Sequence, residues 1–299
     1  MKRGSILITV LVVISLCTTL ALFIHEKSTA SYGAVSELQN EYQGAIYAMT
    51  AITALENIFY YDDTKSDGHE DLWNMIPPIP VKNGFITAFI TPINAKFPVN
   101  ALSQDNETIR ERYQRGFDEL MNKLDFMDAN SQEIMDWVGT GTVTGERFDE
   151  NNTPYSMKGE ALNTLAELAY IPGFSDNYKS LSKYLSIGEP EYKININLAS
   201  EEVILSILPE LEPYIADIIS AREDEDFKDV SAIYRIMGEN AQETYNDILP
   251  YFDVKSSMFY VKMELNIGDE YKYYHVLLRR NGKSVKAIKY VEGGNIEYY

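Results

Sequence analysis

Residues Ser5 to Ile24, SILITVLVVISLCTTLALFI, are twenty consecutive positions without a charge. An α-helix rises about 1.5 Å per residue, so such a run reaches the roughly 30 Å of a bilayer's hydrocarbon core. Lys2 and Arg3 precede it, and His25-Glu26-Lys27 closes it. The basic end is expected to stay cytoplasmic, with everything after Lys27 across the membrane.

Three readings compete for this segment. A cleaved secretory signal has a basic start, an apolar middle and a small-residue site, here Ser28-Thr29-Ala30. Its apolar stretch is usually shorter, and a charged triplet separates the stretch from that site. A plain membrane anchor is the second reading. The third is a prepilin-type leader, in which a short basic segment ending in Gly is cut on the cytoplasmic side and the apolar helix stays in place. Lys2-Arg3-Gly4 running directly into an uncharged helix fits this pattern, with cleavage between Gly4 and Ser5.

No Pro occurs from Ser31 to Tyr60. Apolar residues recur there at Val35, Leu38, Tyr42, Ala45, Met49, Ile52 and Phe59. This 3-4-3-4 spacing places them on one helical stripe, broken by Glu56. One long helix is expected, half membrane-spanning and half amphipathic, with the stripe available to a partner. An anchor leading into an ordinary core helix is the plainer alternative.

The formal charge of −19 makes the exported part acidic, which repels nucleic acid and anionic lipid headgroups. The sole cysteine, Cys17, lies inside the apolar run. The rest of the chain therefore has no disulfide, thiol nucleophile or cysteine zinc site. His25, His69 and His275 are scattered, and no Gly-rich phosphate loop follows a strand, so no enzyme constellation emerges.

Downstream, Asp62 to Glu70 reads as a polar loop, and Pro77-Pro78-Ile79-Pro80 as a block to regular structure. Gly84 to Thr91 reads as a strand. Helices are expected over Thr108–Leu124, Ser131–Val138, Gly159–Tyr170 and Asn177–Leu185, with a long polar loop from Gly139 to Tyr155. Ser131 looks like part of an N-cap region. Ile194-Asn195-Ile196-Asn197-Leu198-Ala199-Ser200 then opens a run of helices, with Asn197 or Ser200 as cap and Pro209 to Pro213 as an interruption. This order is that of a helix-hairpin-helix unit. After Tyr251 the period becomes two, at Phe259, Val261, Met263, Leu265 and Ile267. Gly268-Asp269 is a turn, and Asn281-Gly282 signals a type I′ hairpin with positive φ at both positions. The strand before the helical block and the meander after it are expected to form one sheet, which makes the block an insertion in an α+β domain.

With these segments in order, the chain resembles the protein K family of type II secretion systems, the largest minor pseudopilins. The resemblance rests on Lys2-Arg3-Gly4 and its apolar helix, and on Phe97-Pro98-Val99-Asn100-Ala101-Leu102. It rests further on Ile134-Met135-Asp136-Trp137-Val138, Gly145-Glu146, Ala166-Glu167-Leu168 to Pro172-Gly173, and Ile194 to Ser200. It implies a type IV pilin-like fold: a leader (1–4), a membrane and spine helix (5–60), a sheet domain (61–104 and 254–299) and an inserted α-helical domain (105–253). It also implies a non-enzymatic role at the tip of a pseudopilus in the inner membrane, with the bulk of the chain periplasmic. The implied partners are the minor pseudopilins called proteins I and J, the inner-membrane assembly platform and a prepilin peptidase, with methylation of the new amine. Their contact surface would be Val35, Leu38, Tyr42, Ala45, Met49 and Ile52. Most prepilins carry Glu five residues after the cut, where this chain has Thr9; protein K is the member lacking it.

Relatives are reported to bind calcium in the insertion. Asp136, Glu146 and Asp149, with Glu150, could supply the oxygens that ion takes. Gly139 stands where many relatives continue the acidic run, which puts this carry-over in question. Two rival readings stay open: a pilus minor pilin, and a tethered nucleic-acid receptor using the helix-hairpin-helix. Against the second, Ile194 to Asp253 holds fourteen acidic residues and three basic ones (Arg222, Lys228 and Arg235), whereas DNA affinity comes largely from neutralised phosphates.

Overall fold

The computed structural model describes residues 2–141, 146–148, 154–175, 178–189, 193–238, 246–248, 250–268 and 270–294. Helix α1 runs unbroken over Lys2–Tyr61. The hydroxyls of Thr18, Thr19, Thr29 and Thr50 each donate to the carbonyl four residues back, at 2.8–2.9 Å. Thr18 and Thr19, inside the apolar run, thus satisfy their hydroxyls within the helix, as a span with no water around it requires. The chain divides into two compact units, Met1–Thr50 and Ala51–Tyr299.

In the second unit, β1 (Ile79–Val81) and β2 (Gly84–Pro92) form a hairpin. The Pro-rich segment therefore does not exclude a strand. β1 is the sheet's edge, where a proline's missing N–H costs no ladder bond. The chain then leaves the sheet. It passes through β3 (Phe97–Pro98), α2 (Glu107–Lys123), α3 (Ser131–Val138), and β4 (Glu146–Phe148) paired with β5 (Pro154–Ser156). It continues as α4 (Tyr178–Leu181), β6 (Leu185–Ser186), β7 (Ile194–Asn195), α5 (Glu201–Ile207), α6 (Ile215–Asp224), α7 (Ser231–Met237) and β8 (Phe252–Asp253). It returns as β9 (Met258–Ile267), β10 (Glu270–Asn281) and β11 (Ser284–Gly293). The five-stranded sheet has the order β1-β2-β9-β10-β11, antiparallel throughout, so everything from β3 to β8 is inserted between β2 and its neighbour β9. The long helix, antiparallel sheet and helical block make the fold α+β, as expected.

Several local expectations are corrected. The stretch read as a loop from Gly139 to Tyr155 contains the β4–β5 hairpin. The helix expected over Gly159–Tyr170 is a 3-10 turn over Leu165–Tyr170. Before it, the Asn100 side chain pairs with both the N–H and the carbonyl of Leu162, and Glu167 accepts from the backbone of Asn163 and Thr164, so these groups are taken from any helical ladder. Asn130, not Ser131, caps α3 by accepting from Glu133 N. The β10–β11 loop is Gly282-Lys283; Gly282 takes φ 59°, while Asn281 still pairs with Ser284 inside the ladder. A single positive φ is therefore needed, one residue later than the sequence signal suggests.

Alternation in β9 buries Phe259, Val261, Met263 and Leu265 on one face. They line up with Ile86 of β2 and with Tyr274, Val276 and Leu278 of β10. The last turns of α1 supply Ala51, Leu55 and Phe59, all at most 1% exposed. Phe59 stacks with Trp73 at 6.2 Å and meets Phe259 at 4.6 Å. Tyr260, on the other face of β9, joins a small cluster with Ile93, Met258 and Leu277. The insertion has its own core, in which Phe97 meets Tyr113 and Phe117 edge-on and α2 packs on α5. Gly116 allows that close approach, since a Cβ there would lie 2.8 Å from both the Ser206 carbonyl oxygen and Ile207 Cδ1.

Candidate assembly surface

The expected stripe is exposed on α1. Val35, Leu38, Tyr42 and Met49 are 52–66% accessible, and Ile46 beside them is 61% accessible. Ala45 and Ile52 are partly buried. Phe59, which the spacing groups with them, lies instead on the buried face with Ala51 and Leu55. A seven-residue repeat drifts by about 20° per heptad on a 3.6-residue helix, so three heptads after Leu38 the same phase has turned by about 60°. Gly4 and Ser5 lie in the helical backbone of α1.

Past α1, the segment read as a polar loop is partly interior. Asp62, Ser66 and Asp67 are buried. Arg280 of β10, more than two hundred residues away, donates to Asp67 at 2.6 Å and to Asp62 at 2.8 Å. Its guanidinium lies between the Phe59 and Phe259 rings, 5.0 and 4.9 Å from their centroids. Burial raises both carboxyls from their ordinary value against the pull of Arg280. Asp67 also accepts from Ser256 N and donates its own N–H to the Val254 carbonyl. Polar residue types made this stretch look like a surface loop, and no local signal points to a cation on the last hairpin.

The Asn195-x-Asn197 motif completes this junction. Both side-chain amides donate to the Asp67 carbonyl, at 3.1 and 3.2 Å. Asn197 further donates to the Phe227 carbonyl at 3.0 Å and accepts from Phe227 N at 2.9 Å. Asn197 is therefore a bridge between segments rather than a cap; Ser200 takes the cap position of α5 by accepting from Val203 N. The motif ties the segment after α1 to the insertion.

Of the three calcium candidates, Asp136 is buried in α3 and its Oδ1 accepts from Gln132 Nε2 at 2.8 Å. Glu146 is described only as backbone of β4, and Asp149 lies outside the described residues. One buried carboxylate with an oxygen already engaged does not fit an ion that takes six to eight oxygens. Among the described residues, Asp136 is the one candidate whose side chain is placed, and no second candidate carboxylate is described beside it.

Residues 95–189 match the family model described as type II secretion system protein K. Over 322 aligned residues the chain is 24% identical to the type II secretion system protein K of Pectobacterium carotovorum subsp. carotovorum, covering 98% of this chain and 97% of the relative. The chain is thus similar to type II secretion system protein K along nearly its whole length, and its residues 95–189 carry the family's own signature. Its fold is shared with a solved chain of the GspK-GspI-GspJ complex from enterotoxigenic Escherichia coli. The TM-score is 0.72 and the identity 18%, with 87% of this chain and 99% of the other covered. These matches favour a type II secretion component over a pilus minor pilin, and the N-terminal apolar helix is long enough to serve as a membrane anchor. The family match, residues 95–189, lies in the first part of the segment inserted between β2 and β9.

Proposed function

We propose that this chain stands at the tip of a pseudopilus, initiating or capping its assembly and supporting export of folded proteins across the outer membrane. The observation that carries the reading is the exposed apolar stripe Val35, Leu38, Tyr42 and Met49, which continues directly from the uncharged run in one helix. Apolar side chains at these accessibilities on a 60-residue helix suit side-by-side packing with other helices of the same kind. The E. coli neighbour was solved together with GspI and GspJ, and partners of that kind are carried to this chain. The anchor crosses the inner membrane once, its basic end cytoplasmic and its bulk periplasmic, in accord with Lys2 and Arg3. A prepilin peptidase acts between Gly4 and Ser5, and the assembly platform receives the mature chain. Thr9 in place of the usual Glu supports the tip position. A subunit without that carboxylate has nothing to pair with the terminal amine of a subunit above it.

The test is Tyr42→Asp. A carboxylate buried in a helix–helix groove without a partner costs several kcal/mol, enough to abolish a modest interface. Co-purification with the two smaller minor pseudopilins and secretion in a complemented deletion strain are both expected to fail. Normal assembly and secretion by the variant would overturn the stripe as the contact surface.

A further inference from the structure

Residues 62–75 close the end of α1 with an unusual balance of charge. Carboxylate oxygens of Asp62, Asp67 and Asp71 lie within 4.8 Å of one another. Arg280 bonds the first two and leaves the third without a cation. Asp71 instead accepts from Gly68 N at 2.7 Å. A fourth carboxylate, Asp226 from the insertion, accepts from the backbone of His69 and Glu70 at 3.1 and 3.4 Å, with Arg222 nearby. Gly68 lies so close to the Asp226 carboxylate that any side chain there would collide with it. Next along the chain is a 3-10 turn over Leu72–Met75. It carries the buried Trp73 onto Phe59 and Phe259. The segment is therefore pinned at its start by Arg280, in its middle by Asp226 and at its end by Trp73.

We propose that Asp71 is the proton-sensitive member of a latch that holds residues 68–75 against the end of α1 and the insertion when protonated and releases them when ionised. Asp62, Asp67 and Arg280 together carry one net negative charge. Ionising Asp71 makes it two, in a site facing Asp226 as well, with His69 and Glu70 the neighbours on its own segment. The charges that face it from the preceding loop and from the insertion are thus carboxylates, and the nearby guanidinium is already shared by two of them. Like charges at this spacing in a partly buried site disfavour the ionised form. Burial first, and then Asp62, Asp67 and Asp226, push the Asp71 carboxyl up to about 7 against the pull of Gly68 N–H. A carboxyl raised in the closed state favours closure fully below the ordinary carboxylate range, and that favour is lost as pH rises through about 7. The latch is closed in mild acid and loosened above neutrality. Its opening separates the end of α1 from the insertion residue that grips His69 and Glu70.

The experiment is hydrogen exchange read by mass spectrometry on the full chain in detergent micelles, at pH 6 and pH 8, after correction for intrinsic exchange. With Asp71 near 7 when closed and near 4 when open, linkage makes opening of 68–75 about tenfold easier at pH 8 than at pH 6. Asp71→Asn should remove this difference and leave the segment protected at both pH values. An unchanged wild-type segment, or the same tenfold change in Asp71→Asn, would overturn the latch. Should the variant fail to fold, Trp73 emission in Trp137→Phe, titrated from pH 5.5 to 8.5, gives the answer. A red shift centred near 7 is expected, and no transition in that range overturns the proposal.

Discussion

Asn197→Ala removes one of the two asparagine side chains that knit the junction together. Asn197 is fully buried and makes three side-chain hydrogen bonds, two donated to the carbonyls of Asp67 and Phe227 and one accepted from Phe227 N. Asp67 keeps a donor in Asn195, so its carbonyl stays satisfied. The Phe227 backbone does not keep these partners: its N–H and carbonyl both lose them at once. A made hydrogen bond contributes about 1 kcal/mol net, and a buried group left without a partner costs about 1–3 kcal/mol. Together these predict a loss of about 3–5 kcal/mol, a large share of the roughly 5–15 kcal/mol that separates folded from unfolded domains. For a body of this size that lowers the melting temperature by on the order of 10 °C. Urea denaturation and thermal melting of the chain from Ser28 onward measure it, with Asn57→Ala on the exposed face of α1 as the control expected within about 0.5 kcal/mol. A loss below about 1 kcal/mol would refute the reasoning, because it would mean that water replaces the amide and that the junction is not dry.

The leader reading predicts a mature chain that begins at Ser5 with a modified amine, which intact-mass measurement of the purified protein determines; a start at Ser31 or a retained Met1 would refute it. Chelation is expected to leave the melting temperature unchanged, because Asp136 already has Gln132 as its partner. A fall on chelation that calcium restores would show that the folded chain holds calcium, since a ligand bound only to the folded state stabilises by mass action.

The elements with a strong period were legible from residues alone. The uncharged run, with no Pro anywhere before Pro77, specifies one long helix because nothing along it interrupts the hydrogen-bond ladder. The period of two in β9 and the Gly282 turn specify the meander in the same way. Tertiary structure alone decided which polar residues are interior. Asp62 and Asp67 have the composition of a surface loop, and only the return of the chain as β10 brings Arg280 between Phe59 and Phe259 to meet them. It also decided which apolar residues stay outside. Spacing placed Phe59 with Leu38, but helical drift over three heptads put Phe59 under the sheet and left Leu38 in solvent. Such partners are distant in sequence, and a local pattern records only a residue's own periodicity, not the surface that meets it.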